Sequence, residues 1–284
     1  MELNYHHLRY FREVARDGHL TRTAERLNLS QSALSAQIRT LEDRLGHALF
    51  DRVGRRLELT EVGRIALDHA ELIFSTGEEF MASLGAATGQ ARPLKVGALS
   101  TLSRNFQMQF LRPLLAQEVP VVLRSGGLTA LLDELESLSL DVVLTTAAPP
   151  QRAGAKLAAT RIADQAVGVH GVLARLRHPD LQSLLAAEPL ILPTDPVLRT
   201  PLEGLFARLD LAPHIAADVD DMAMVRLLAR EGIGVALVPG VVVADEVAAG
   251  TLATAPFDLD ISEPFYAVTL QRRFPHPALA SLLG

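Results

Sequence analysis

Three short bursts of helical periodicity in the first 46 residues, cut apart by turn residues, constrain this chain more than any other feature. Leu8, Phe11, Val14 and Ala15 share one helical face behind Asn4, a good N-cap, and Gly18 ends that segment. Ala24 and Leu27 mark a second short helix, and Asn28-Leu29-Ser30 makes a tight turn. Ser30 suits the N-cap of a third helix, along which Leu34, Ile38, Leu41 and Leu45 repeat until Gly46. Residues 49–53 and 56–59 then flank Gly54-Arg55, the pattern of a β-hairpin. Three small helices followed by such a wing predict a winged helix-turn-helix.

Thr60 caps the next expected element, a long helix over about 61–87. Val62, Ile65, Ala66, Ile73, Phe80 and Leu84 give it a broken apolar stripe, for which no small neighbouring core is available. A second copy of the chain is the expected cover, with Ile65, Ile73, Phe80 and Leu84 as dimer contacts. Gly85, Gly89 and Pro93 mark a hinge. From Leu94 onward the texture changes. Apolar runs at 94–98, 119–123, 142–145, 190–192 and 235–238 alternate with helical segments at 128–138, 201–209 and 222–230. Strands alternating with helices predict an α/β fold with a largely parallel sheet.

The length, 284 residues, fits about two folded domains, and 49% hydrophobic with 21% charged residues fits a globular protein. The chain contains no cysteine, which excludes disulfides, thiol catalysis and Cys-based zinc sites. Its net charge of −6 is unevenly spread: residues 1–58 hold ten arginines against eight acidic residues, so the acidic excess lies in the remainder. The amino-terminal residues lack the pattern of a secretory signal, and the most apolar stretch, 233–244, is broken by Pro239-Gly240 and falls short of the ~20 residues a membrane span needs. A cytoplasmic protein without membrane partners is expected.

The third helix carries the most informative residues. Leu34 and Ile38 take one face, while Ser30, Gln31, Ser32, Ser35 and Arg39 crowd another near the amino end. Helix-turn-helix proteins insert this end into the major groove of double-stranded DNA, where such side chains reach base edges. A solvated polar face is the plain alternative, but the preceding helix and the Arg-bearing hairpin agree with DNA reading. Arg52, Arg55 and Arg56 suit phosphate contact. The alternative for them is a solubilising hairpin, and Asp51 or Glu58 can pair with Arg52.

These segments resemble the amino-terminal domain of LysR-type transcriptional regulators. The residues that carry the resemblance are Phe11-Arg12-Glu13-Val14-Ala15, Ala24-Glu25-Arg26-Leu27, Leu29-Ser30-Gln31-Ser32-Ala33, Leu41-Glu42-Asp43-Arg44-Leu45-Gly46, Leu49-Phe50-Asp51-Arg52 and Leu59-Thr60-Glu61-Val62-Gly63. The match is nearly continuous over 5–63. It implies a DNA-binding domain at 1–59 to which Thr21 and Arg22 also contribute, a pairing helix at 60–88, a hinge at 89–93 and an effector domain at 94–284. That last domain is implied to resemble the two-lobed type 2 periplasmic binding proteins, with one lobe at about 94–161 and 267–284 and the other at about 162–266. A homodimer or homotetramer, a small-molecule or ion effector and contact with RNA polymerase are further implications. Two positions depart from the family pattern: His19 stands where a Ser cap is usual, and Ala36 where an Arg is common. Residues 5–11 and Leu192-Pro193-Thr194 with Leu198-Arg199, Leu202 and Phe206 are similar to the branch that activates sodium/proton antiporter genes, which implies an ion as inducer.

In the carboxy-terminal region, Gly97 to Leu102 is expected to follow a strand and open a helix, so that Ser100 and Thr101 face an anion with hydroxyls and backbone N–H groups. Thr129 behind Gly126-Gly127, and Thr145-Thr146 at a strand end, are placed by the resemblance at the same cleft; plain caps and turns are the alternative. Arg104, Arg124 and Arg199 are candidates to complete an anion site, with surface ion pairs as the competing role. Gly232-Ile233-Gly234 lacks the third glycine of a dinucleotide motif and precedes its strand. The nine histidines show no metal-ligand spacing and no nucleophile elbow occurs, so neither enzyme nor cofactor is expected. A stand-alone periplasmic-type binding protein would need a signal peptide and no helix-turn-helix, the reverse of this chain.

Overall fold

Asn4 opens α1 (Tyr5–Asp17) in the computed structural model, its side chain accepting from the amides of His6 and His7. The structure describes residues 3–53, 56–87, 92–151, 156–272 and 275–283. The chain divides into two units, 1–90 and 91–284. In the first, α2 (Leu20–Arg26) follows a left-handed Gly18 and starts at His19 without a side-chain cap. Asn28, at φ +56°, makes the turn to α3 (Gln31–Leu45), which Ser30 caps by accepting from the Ala33 amide. The wing is the antiparallel pair β1 (Phe50–Val53) and β2 (Arg56–Leu59), and α4 (Glu61–Ala87) completes the unit.

Two adjoining clusters, both touched by Phe50, hold these elements together. Leu8, Phe11, Leu41, Leu49, Ala70 and Phe74 are buried in one, and Val14, Ala24, Leu34 and Ile38 in the other. Here the structure corrects the sequence expectation for α4. Its first half does have a core to cover it: Ala66, Leu67, Ala70 and Phe74 pack on α1 and the wing. Tyr5 and Arg12 lie against the Phe74 ring at 4.3 Å each, and Arg16 forms a bidentate pair with Glu71. Ile65 and Ile73 point away from this core. Beyond Phe74 the helix outruns it, leaving Phe80 61% and Leu84 50% exposed.

In the second unit β3 (Leu94–Leu99), α5 (Arg104–Leu115), β4 (Val121–Gly126), α6 (Leu128–Glu136) and β5 (Val142–Thr145) form a parallel three-stranded layer with its helices. A long strand, β6 (Leu157–Gly171), leads into α7 (Leu181–Ala187), β7 (Leu190–Pro193), α8 (Pro196–Arg208), β8 (Ile215–Val219), α9 (Met222–Arg230) and β9 (Val235–Pro239). The chain then runs through α10 (Ala244–Ala248) and β10 (Ala253–Thr254) to a returning strand, β11 (Ser262–Leu270), and ends in α11 (Ala278–Leu283). The sheet order is β4-β3-β5-β11-β6-β9-β7-β8, with β10 on β6. Strands β7, β8 and β9 are parallel to each other, but β6 and β11 are antiparallel to each other and to their outer neighbours. The expected parallel sheet is therefore two parallel blocks joined by an antiparallel pair. Each block has its own core: Leu94, Val96, Phe106, Val142 and Phe265 in the first, and Val167, Leu184, Ile191, Leu198 and Leu237 in the second. No described helix is long and apolar enough to cross a membrane.

A buried ionic cluster ties the start of this unit to its end. Asp141, 1% exposed, accepts from the Arg92 guanidinium at 2.7 Å, the Lys95 amide at 2.9 Å and Arg272 at 3.4 Å. The His276 ring accepts the Ala278 amide at Nδ1, so its proton sits on Nε2 and is donated to the Arg92 carbonyl at 3.1 Å. Burial holds this imidazole below its usual pKa, in the neutral form the two bonds require.

Among the described glycines, the tightest backbone approach lies where the wing meets α4. Thr60 Oγ1 donates to the Ala48 carbonyl and accepts from the Gly63 amide, both at 2.8 Å. A Cβ on Gly63 would stand 2.0 Å from the Leu49 carbonyl oxygen. Gly63→Ala is expected to destabilise the first unit by about 2–3 kcal/mol or more, because backbone has to move. Urea unfolding of the full chain, followed by amide exchange in α1 and α3, measures it.

Candidate functional site

Two groups of side chains stand apart from the packing just described. The first is on α3. Gln31, Ser32 and Arg39 are exposed and Ser35 is half-buried, while Leu34 and Ile38 on the opposite side are fully packed. Ser30 spends its hydroxyl on the cap and also meets Ser32 Oγ at 3.1 Å. Among the described residues Arg39 has no ion-pair partner, so its charge is available to an incoming anion. Glu42, two turns into the helix from Ser35, accepts from the Leu49 and Phe50 amides at 2.8 and 3.3 Å and fixes the wing against α3. Of the α2 residues, Thr21 is exposed, and Arg22 pairs with Asp17 through Nε at 2.7 Å. The Arg22 guanidinium holds the Asp17 carboxyl below its usual pKa. Arg55 lies outside the described residues, as do the side chains of Arg52 and Arg56.

The second group lies at the carboxyl ends of the parallel strands β4, β3 and β5, where open α/β sheets offer a crevice. The structure brings Ser100, Thr101, Thr129, Thr145 and Thr146 to this edge but changes the local picture. Ser100 and Thr101 sit in a turn, and α5 starts only at Arg104 behind Ser103. The Ser100 amide donates to the Gly126 carbonyl at 3.0 Å, so its N–H is not available to an anion. Thr129 is exposed in the first turn of α6. Thr145 is buried with its hydroxyl given to the Ala147 carbonyl at 2.7 Å.

Thr146 reaches across to the second block, donating to Asp195 Oδ2 at 3.4 Å, while Asp195 Oδ1 caps α8 through the Val197 amide. The arginines are committed elsewhere. Arg199 pairs with Glu203 at 2.7 Å and with Asp218, and these carboxylates raise its pKa. Arg104 donates to Ser125 Oγ at 2.8 Å and Arg124 to Glu134 at 2.8 Å. Sequence reasoning missed Asp195 and Glu263. Asp195-Pro196 is a legible helix start, whereas Glu263 in a strand reads as solvent-facing.

Comparison with known proteins covers both units of the chain. Residues 5–64 match the family model "Bacterial regulatory helix-turn-helix protein, lysR family", and residues 87–284 match "LysR substrate binding domain". The transcriptional regulator PcaQ of Agrobacterium fabrum is 29% identical over 92% of this chain and 87% of its own length. The transcriptional activator NhaR of Escherichia coli is 25% identical over 98% and 93%. NhaR is thus one distant relative among several, and the antiporter-activator branch is not singled out. Full-length CbnR, solved with its target DNA, superposes with a TM-score of 0.70 at 24% identity, covering 99% of this chain and 97% of that one. A full-length point variant of OxyR from Pseudomonas aeruginosa gives 0.67 at 24%, covering 100% and 94%. With one model accounting for its helix-turn-helix and another for everything from the end of α4 onward, the chain belongs to the LysR family, as a DNA-binding transcriptional regulator with an effector-binding domain and not an enzyme.

Proposed function

We propose that residues 1–59 read an operator through the amino end of α3, that 60–88 pair two subunits, and that an effector is sensed within 94–284, beyond a hinge at 89–93. The observation that carries this reading is the division of α3 into a packed face and an exposed face of Gln31, Ser32, Ser35 and Arg39. Apart from the Ser30–Ser32 hydroxyl contact this face is turned to solvent, and base edges in a major groove offer matching donors and acceptors. Thr21 and Arg22 on α2, with Arg52, Arg55 and Arg56 on the wing, serve the phosphates on either side. That CbnR was solved with its target DNA supports the same use of this fold. Gln31→Ala and Ser35→Ala are each expected to cost about 1–3 kcal/mol of discrimination between the operator and random duplex. Competition titrations on sites recovered by mapping bound DNA in the native cell provide the measurement; an unchanged specific-to-nonspecific ratio overturns the assignment.

Exposed apolar area on α4 supports pairing of subunits. Phe80 and Leu84, with Met81, stand beyond the core of their own unit. A second α4 laid alongside covers them, and two such dimers make the tetramer. Phe80→Asp with Leu84→Asp is expected to shift sedimentation of the full chain to smaller particles and to reduce operator affinity to that of a half-site. A parent protein that sediments as a monomer at micromolar concentration overturns the pairing.

The effector is placed at the strand ends that carry Ser100, Thr101, Thr129, Thr145 and Thr146. Ser100, Thr101 and Thr129 are the more exposed of these, with Thr146 and Asp195 bridging to the second lobe. Arg199 is left as a support of α8. A ligand touching both lobes binds one arrangement better than the other, and that difference is the free energy available to alter the DNA-bound assembly or its contact with RNA polymerase. Ser100→Ala with Thr101→Val is expected to leave operator affinity within about twofold of the parent while abolishing induction. A reporter assay beside an operator titration separates the two effects.

A further inference from the structure

Two strands pass from one lobe's core into the other's, and at the crossing each carries a polar residue where the inward pattern calls for an apolar one. On β11 and the residue before it, alternate positions are buried: Ile261 in the second core, Glu263, then Phe265 in the first core. On β6, Ala163 packs on the first core and Val167 belongs to the second, with Gln165 between them. The register sets Glu263 directly opposite Gln165, so both side chains share one face of the sheet at the joint. One step further the register slips between Phe265 and Tyr266, a local irregularity in the ladder beside the joint.

Glu263 is 2% exposed, and among the described residues no hydrogen bond or ion pair reaches its carboxyl. The charged groups on elements packed against β11 are few. On β6, Arg161 and Asp164 are exposed and paired with each other. On α6, Asp133, Glu134 and Glu136 are engaged, Glu134 with Arg124. On α8, Arg199 is held by Glu203 and Asp218, which leaves Asp195 as the charge that Glu263 feels. Strand β5 contributes only the Thr145 hydroxyl, already donated, and Thr146 beyond it is bonded to Asp195. A buried carboxyl whose one charged neighbour is another carboxylate resists ionisation.

We propose that Glu263, opposite Gln165 and beside Asp195, is a charge-sensitive hinge pin: while its carboxyl is neutral the two lobes hold the arrangement seen here, and loss of its proton to solvent drives them apart. Burial first, and the Asp195 charge second, push its pKa up to about 8 in this arrangement. In a parted arrangement the carboxyl is hydrated and returns to its ordinary value of 4.5. The closed form therefore binds the proton more tightly. Its advantage is fully present below about pH 4.5, shrinks by up to about tenfold in equilibrium constant per pH unit above that, and changes no further beyond about pH 8.

The chain has no cysteine, so a pair of introduced thiols labels cleanly. Gln117→Cys in the first lobe and Arg208→Cys in the second are both exposed positions, and nitroxide labels there report the lobe separation by dipolar spectroscopy on the full chain without DNA. From pH 5 to 9 the longer-distance population is expected to grow and then level off above pH 8. Glu263→Gln keeps the shorter distance throughout. Asp195→Asn, which retains the α8 cap, reduces the growth and decides the matter alone if Glu263→Gln does not fold. A parent whose distances ignore pH, or variants that follow the parent, overturn the proposal. The consequence for transcription rests on lobe movement being the regulator's switch; the distances are read on protein alone, so failure of that wider reading leaves them standing.

Discussion

The antiparallel pairing of β6 with β11 is the contact on which the second unit depends. Nine residue pairs run from Ser262 opposite Ala166 to Leu270 opposite Leu157, and these two strands contribute side chains to both cores. Most other contacts in each lobe are local, the Thr146 bond to Asp195 and the Asn105 bond to the Val242 carbonyl being exceptions. Strands β3, β4 and β5 pair in parallel among themselves, as do β7, β8 and β9, and each set is covered by the helices that connect it. Removing the long pair would leave two small α/β layers, each with an exposed sheet edge. A two-strand connection leaves each lobe with a dry core of its own.

The first unit solves a different problem, how to present a short polar helix end rigidly. Helix α3 packs its Leu34, Ile38 and Leu41 against Phe11 and Val14 of α1, and its own Glu42 accepts from the Leu49 and Phe50 amides at the wing. The wing in turn is tied to α4 by Thr60 and the close approach at Gly63. Helix α3, the wing and α4 thus share one short set of contacts. In free solution the charged residues behind α3 are already satisfied: Arg16 by Glu71, Arg22 by Asp17, Arg26 by Glu13. Arg39, on the exposed face of α3, has no such partner among the described residues.

Much of this is legible in the sequence where the signals are local. Asn4, Gly18, Ser30 and Gly46 are caps that act within a few residues of themselves, and α1 and α3 begin and end where they say. Strand β5 and helix α9 follow from an apolar run and from an Asp221 cap. Strands β6 and β11 are not legible, because their pattern is interrupted at the joint by Gln165 and Glu263 and their partners lie far apart along the chain. The stripe on α4 reads as one face. In space it is two: Ala66 turns in with Ala70 and Phe74, while Ile65 and Ile73 turn out, a distinction that depends on where α1 lies. Ser100 looks like a helix start because Gly and hydroxyl residues follow a strand, but the strand runs on to Leu99 and the Ser100 amide joins the ladder at Gly126.

The ionic cluster around Asp141 gives the effector domain an unusual closure. Arg92, where the chain enters the domain, and Arg272, just past β11, both pair with Asp141 immediately before β5, and His276 in turn holds the Arg92 carbonyl. Removing a single member leaves the others charged or polar in a dry site, at a cost of about 3–5 kcal/mol. The last residues of the chain are therefore mechanical parts of its entrance. A displacement of the Asp141 end of β5 is passed straight to Arg92 through their ion pair.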